Sequence, residues 1–234
     1  MRVSLSLIVL LALTGGVSHS FAQSASLTKF DSYGRLPTDD EAAHLDFFYN
    51  QLRDHANLRG YLIGYNQPSI APGVFLRRLH GDKRYLVEMR GLPPDRVTVI
   101  DGGYRPTFTL ELWTLSNDGS APTLTPTLSR PTLPKRELFD QECLECDAAV
   151  ILDLYGLSDG LKFYADALRQ HPNARGLIIV RPGQTVSTRG AMNRALNAKR
   201  LLVRAHSIDQ RSLTIRIARR RKDNLSTAEM WIVN

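Results

Sequence analysis

The sequence predicts an α/β protein made of two copies of one β-α-β-α-β-β unit, each with helices packed on a mixed sheet. Three observations predict this fold. Blocks of residues recur in the same order in the two halves of the chain. Each half alternates segments of helical periodicity with short apolar runs of strand length. A stretch rich in Pro, Thr and Ser separates the halves, which is typical of a linker between two small domains.

The repeat is the most informative of these observations. Six pairs of blocks match, namely Leu45–Leu52 with Leu161–Leu168, Asn57–Ile63 with Asn173–Ile179, Lys83–Val87 with Lys199–Val203, Val97–Val99 with Leu213–Ile215, Glu111–Trp113 with Glu229–Trp231, and Asp31–Gly34 with Asp153–Gly156. Four of the six pairs are 116 residues apart. Chance rarely preserves six matches in one order, so we interpret the two halves as copies of one unit.

The first half of each unit is predicted as strand, helix and buried strand. In the first copy a strand ends at Tyr33, and Thr38–Glu41 reads as a capping box that begins a helix. The continuous apolar run Tyr61–Tyr65 is typical of a strand covered on both faces. In the second copy we expect the first strand over 148–155. Helical spacing predicts core positions at Leu45, Phe48, Leu52, Leu161, Tyr164 and Leu168.

The second half of each unit is predicted as a helix followed by two strands. The helix carries the Lys-Arg block, the third strand covers Val97–Ile100 or Leu213–Ile217, and the last covers Thr107–Leu115 or Thr227–Val233. Because strand-helix-strand crossovers of this length join parallel strands, we expect mostly parallel pairing within each sheet.

The start of the chain reads as a secretory signal. Arg2 precedes an apolar run over Leu5–Leu13, and small residues at Ser20 and Ala22 predict cleavage after Ala22. We therefore expect an exported protein, periplasmic or secreted, with no transmembrane segment in the mature chain. The predicted organisation is a signal peptide at 1–22, a first repeat at 27–115, a linker with a Cys pair at 116–147 and a basic second repeat at 148–234.

The positive charge of the chain lies in its C-terminal part. The formal net charge is +7, and 13 Lys or Arg stand between Arg175 and Lys222 against one acid, Asp209. A field of one sign attracts anionic partners, although a merely solvated surface remains the alternative. The candidate binding residues are Arg181, Arg189, Arg194, Arg216, Arg219, Arg220, Arg221 and Lys222.

Several of the repeated blocks resemble the OmpA/MotB-like periplasmic domain. The resemblance lies in Leu45–Leu52, Asn57–Ile63 and Lys83–Val87, and in 91–97, which looks like that family's turn from second helix to third strand. It implies non-covalent binding of peptidoglycan. Together the two copies cover most of the predicted mature chain.

The chain departs from that family at its ligand positions. The family places an acid after the central strand, where this chain has 66–68, Asn-Gln-Pro, and 181–183, Arg-Pro-Gly. It places an arginine on the second helix, where this chain has Gly81 and Asn197. The resemblance therefore implies the fold, and it transfers no ligand-binding residue.

The remaining candidate chemistry is sparse. Cys143 and Cys146 predict a local disulfide in an exported protein, with a redox site or a zinc site as weaker alternatives. The sequence shows no catalytic motif, metal-ligand spacing or phosphate-binding loop, so we expect no enzyme activity, metal or cofactor.

These patterns predict a cell-envelope protein that binds peptidoglycan or another anionic envelope component through the basic second repeat. The alternative is a degenerate interaction module that docks to an envelope protein without binding the wall. We expect no nucleic-acid partner, because the chain carries an export signal and lacks aromatic platforms for single strands.

Overall fold

The computed structural model describes residues 26–116, 119–132, 134–143, 157–184, 186–220 and 225–234. The predicted signal peptide, the predicted strand at 148–155, Cys146, Arg221 and Lys222 lie outside these ranges. None of the helices within them is both long and apolar enough to cross a membrane.

The first unit is one four-stranded sheet with two helices. Its elements are β1 (Leu27–Tyr33), α1 (Thr38–Asp54), β2 (Leu58–Asn66), α2 (Pro72–Arg84), β3 (Val97–Tyr104) and β4 (Thr109–Ser116). A π-helical turn over Tyr85–Met89 continues α2. The strand order is β1-β4-β2-β3.

The second unit repeats this plan. Its elements are β5 (Arg136–Cys143), α3 (Leu157–Gln170), β6 (Arg175–Arg181), α4 (Thr188–Arg204), β7 (Leu213–Ile217) and β8 (Thr227–Val233). The strand order is β5-β8-β6-β7, which is the order of the first sheet. The predicted α/β class, with two similar units, mixed sheets and packed helices, is confirmed.

The prediction of mostly parallel pairing is wrong. Only β2 with β3, and β6 with β7, pair in parallel, and the other pairs of both sheets are antiparallel. The crossover through α1 does give β1 and β2 the same direction. The two strands are not neighbours, however, because β4 lies between them and runs the opposite way.

The predicted linker at 116–147 contains a strand. β5 pairs with β8 in the register that β1 makes with β4, and both pairs shift register after their third residue, between Lys29 and Asp31 and between Leu138 and Asp140. Phe139-Asp140 therefore corresponds to Phe30-Asp31. The predicted match between 31–34 and 153–156 is accordingly wrong, since the equivalent of β1 lies earlier in the chain.

The predicted capping box is also wrong. Pro37 is the N-cap of α1, and no side chain caps this helix end. Thr38 is already helical, and Glu41 is buried and accepts hydrogen bonds from Arg78. The carboxylate thus serves tertiary packing rather than the free amides of the first turn.

Each unit encloses its own apolar core. Helix residues predicted from their spacing are buried in both, including Phe48 and Leu52 in the first unit and Tyr164 and Leu168 in the second. Leu76 on α2 is partly buried and packs against both cores.

The two units join where the outer face of α2 packs on β5 and α3, and we call this contact the unit interface. Arg77 donates to both carboxylate oxygens of Asp140, over 2.9 and 2.8 Å, and Asp140 is fully buried. One turn further along α2, the ring of His80 lies 4.8 Å from that of Phe163. Another turn on, Arg84 forms an ion pair with Asp159.

Gly73 allows α2 to approach β5 closely. A Cβ at this position would lie 2.6 Å from the Cβ of Asp140, a separation that real contacts do not reach. The interface therefore requires glycine at the start of α2.

Candidate functional site

Both units carry one glutamate-tryptophan pair on their last strand. In the first unit Trp113 Nε1 donates to Glu111 Oε2 over 3.0 Å, and in the second Trp231 Nε1 donates to Glu229 Oε2 over 2.9 Å. Residues on either side of each glutamate point into the core, so the alternation of the strand puts the pair on the other side of the sheet. We call this side, away from the helices, the helix-free face.

Each glutamate is nearly buried and is held by cations. Lys29 and Arg105 donate to Glu111 over 2.8 and 3.1 Å, and Arg181 donates to Glu229 over 2.6 Å. Burial acts to raise the pKa of both carboxyls, but the hydrogen bonds from these cations and from the indoles outweigh it and hold each pKa below its usual range. Both glutamates therefore stay ionised at neutral pH.

In the first unit the segment that follows β4 covers the helix-free face at Tyr65. The phenol of Tyr65 is buried there and contacts Thr125 Oγ1 at 3.2 Å, in the segment that follows β4. Arg105 lies over the Tyr65 ring, with its guanidinium carbon 3.4 Å from the ring centre, and donates to Thr125 Oγ1. This arrangement leaves the tyrosine no access to a ligand.

In the second unit the same face is basic. Arg181 stands where Tyr65 stands in the first unit, since each is paired with the first residue of the last strand. Its side chain keeps 37% of its surface exposed although it binds Glu229. Arg136 lies over the indole of Trp231, 4.4 Å from the ring centre, and Arg216 is exposed on the neighbouring edge strand β7. We call Arg136, Arg181, Arg216 and Trp231 the basic sheet face.

The structure divides the cations that the sequence grouped. Arg181 and Arg216 share the basic sheet face, and Arg219 and Arg220 follow β7. Arg220 donates to the carbonyls of Gly183 and Gln184, each over 3.1 Å, which fixes the end of β7 to the loop after β6.

The other predicted cations lie elsewhere. Arg189 is exposed on α4, and Arg194 lines a separate apolar pocket of about 290 Å³ with Glu142. Arg221 and Lys222 fall outside the described residues. Sequence reasoning missed Arg136, because the strand that carries it was interpreted as linker.

A larger cleft of about 650 Å³ lies between the two units. Its lining contains Arg130 paired with Asp101, and Glu137, whose pKa burial raises. The Oδ1 atom of Asn66, at the end of β2, is buried there without a hydrogen-bond partner. The charges in the cleft have both signs, so the cleft selects no ligand charge, whereas the basic sheet face favours an anion.

Two further points concern metal ligands and the cysteine pair. No three His, Cys, Asp or Glu side chains within it come close enough together to hold a metal ion. Cys143 ends β5, and its predicted disulfide partner Cys146 lies outside the described residues, so the disulfide stays a prediction.

Comparison with protein-family models finds no match for this sequence, and comparison with curated proteins finds no similar chain.

Proposed function

We propose that the protein is an exported, non-enzymatic component of the cell envelope that holds an anionic wall polymer, such as peptidoglycan, on its second unit. The observation that carries this proposal is the basic sheet face, on which Arg136 lies over Trp231, Arg181 binds Glu229 and Arg216 is exposed on β7. Export rests on the signal predicted from residues 1–22.

The arginines are suited to carboxylates and phosphates. A guanidinium offers parallel N–H donors that match the two oxygens of a carboxylate. The Trp231 ring holds Arg136 in place, and Glu229 holds Arg181, so less side-chain entropy is lost when a ligand binds. Arg216 makes no hydrogen bond or ion pair with any described residue, which leaves its full charge for a ligand.

The test compares two variants of the mature chain. Arg136→Ala/Arg216→Ala removes two of the three arginines of the basic sheet face and keeps Arg181, whose loss would leave Glu229 without its cation. Arg59→Ala removes an exposed arginine of the first unit and is the control for the loss of a surface charge elsewhere. Each protein is mixed with isolated sacculi and sedimented over a salt series.

We expect wild type and Arg59→Ala to sediment with the wall at low salt and to be released as salt rises, because ionic contacts at a surface are screened. The double variant should bind at least about tenfold more weakly, the equivalent of about 1.4 kcal/mol. Wild type that stays in the supernatant at low salt contradicts wall binding. A double variant that binds like wild type places the ligand on another surface.

A further inference from the structure

The unit interface is built from two faces that occur twice in the chain. The first is the outer face of α2, which has its counterpart in α4. Lys83 donates to the carbonyl of Val97 and Lys199 to that of Leu213, which fixes this equivalence at 116 residues. Met192 thus stands in the place of Leu76, Leu196 in that of His80, and Arg200 in that of Arg84.

The second face is the edge that β5 forms with α3, which has its counterpart in β1 and α1. The Phe30 and Phe48 rings lie 5.4 Å apart, and the Phe139 and Tyr164 rings lie 5.6 Å apart. The edge is therefore built alike in both units, with Phe47 in the place of Phe163.

Inside the molecule these faces are covered, and at its two ends they are open. Phe139 and Phe163 are only 3% and 8% exposed at the unit interface. Their counterparts Phe30 and Phe47 are 36% and 68% exposed. On α4, Met192 and Leu196 are 38% and 41% exposed. Clustered exposed apolar side chains mark a surface that receives a partner.

The two open faces also carry opposite charge. Arg200 and Arg204 are exposed on α4, and Asp39 and Asp40 are exposed in the first turn of α1. In the unit interface α2 and α3 run in opposite directions. His80 meets Phe163, and one turn later on α2 Arg84 meets Asp159, which lies one turn earlier on α3.

If α4 packs on an α1 helix in the same relative direction, Leu196 lies against Phe47 and Arg204 lies against Asp39. On each helix the two residues are eight positions apart, about two turns, so they lie on one side of the helix.

We propose that the outer face of α4 binds the β1–α1 edge of a second copy of this chain, head to tail. Such a contact joins unlike surfaces, so it leaves one open face at each end and can continue into longer chains. The proposal uses surfaces other than the basic sheet face and does not depend on wall binding.

The second contact cannot copy the unit interface atom for atom. Arg189 stands in the place of Gly73. In the unit interface a Cβ at position 73 would lie 2.6 Å from the Cβ of Asp140, so a side chain does not fit at that spacing. Asn193 replaces Arg77, and the counterpart of Asp140, Asp31, already binds His44 at 2.5 Å. The start of α4 must therefore stand further from the strand, which makes the contact weaker than the unit interface and its assembly reversible.

The experiment uses the mature chain and two single variants, Phe47→Asp and Leu196→Asp. Both side chains are well exposed, so the variants should fold, and thermal melting checks this. Sedimentation velocity over a concentration series gives the average mass. Met89→Asp is the control, because Met89 is 64% exposed and belongs to the π-helical turn after α2 rather than to α1, β1 or α4.

We expect the average mass of wild type and of Met89→Asp to rise with concentration, and each face variant alone to stay monomeric. An equal mixture of the two face variants should form dimers and stop there, because each supplies the face that the other has lost. Arg189→Gly should strengthen association by several fold. A wild type that stays monomeric, face variants that associate normally, or a mixture that forms no dimer would each overturn the proposal.

Discussion

The two units use one scaffold but place their arginines differently. In the first unit Arg78 binds Glu41, Arg90 binds Asp46 and Arg105 binds Glu111. In the second unit Arg204 and Arg216 are exposed and pair with no described residue. Both units fold alike, so these ion pairs are not what specifies the fold. The buried apolar positions specify it, and the surfaces are left to diverge.

The units also differ at one position of the second helix. Asp82 of the first unit is buried near Glu41 and Arg78, and its Oδ2 atom has no hydrogen-bond partner. Ala198 stands in its place in the second unit and lines the apolar pocket there. One copy therefore keeps a buried polar cluster at a position where the other copy is apolar.

The largest expected effect comes from breaking the unit interface. Arg77→Ala leaves the fully buried carboxylate of Asp140 without its cation. Loss of one partner of a buried ion pair costs about 3–5 kcal/mol, so we expect the free energy of unfolding in urea to fall by about that amount.

The control for this prediction is Arg53→Ala, which removes an ion pair whose two side chains are both more than half exposed. Its unfolding should match that of wild type. The double variant Arg77→Ala/Asp140→Ala should recover part of the loss, because it leaves no buried charge unpaired. Equal stability of Arg77→Ala and Arg53→Ala would show that the Arg77–Asp140 pair does not hold the units together.

A smaller effect, of opposite sign, is expected at Asp82. Burial and the nearby charge of Glu41 raise the pKa of this carboxyl well above its usual range, although Arg78 opposes them. A raised pKa in the folded state means that stability falls as pH rises above the unfolded value of about 3.9. Asp82→Asn removes the ionisation, so we expect it to stabilise the protein at pH 7 by about 1 kcal/mol.

Urea unfolding at several pH values checks this prediction. The gain from Asp82→Asn should grow from pH 5 to pH 8, and the exposed control Asp95→Asn should show no such trend. A variant less stable than wild type at pH 8 would mean that the charged form of Asp82 is favoured in the fold.

The fold could be predicted because its signals are local. The spacing of Leu45, Phe48 and Leu52 places them on one side of a helix whatever packs against it, and the structure buries all three. β5 lacked such a signal. Its Asp140 reads as a surface residue, and its burial depends on Arg77, which lies 63 residues away in the chain.

The candidate site could be predicted only in part, for a related reason. Closeness in sequence grouped Arg181, Arg189 and Arg194, but strand alternation and helix rotation send neighbouring residues to different sides of the unit. Arg136 joins the basic sheet face through the pairing of β5 with β8, which composition and spacing do not reveal.

The smallest expected effect concerns pH at the unit interface. Burial lowers the pKa of His80, and the nearby charges of Lys162, Lys83 and Arg84 lower it further. Because the folded pKa lies below the unfolded value of about 6.5, the contribution of His80 to stability is constant above about pH 6.5 and falls as the pH drops from there through the folded pKa. A proton on this ring would add a positive charge beside those of Lys162, Lys83 and Arg84.

The variant His80→Leu carries the residue that the second unit has at the equivalent position, Leu196. We expect unfolding between pH 7 and pH 5 to show a weaker loss of stability in His80→Leu than in wild type, while His55→Leu, at an exposed position, behaves as wild type. If His80→Leu and wild type lose the same stability between pH 7 and pH 5, the unit interface accepts the protonated ring. The face of α2 would then tolerate charge as readily as the exposed face of α4, and Gly73 and Arg77, rather than His80, would set the unit interface apart from that face.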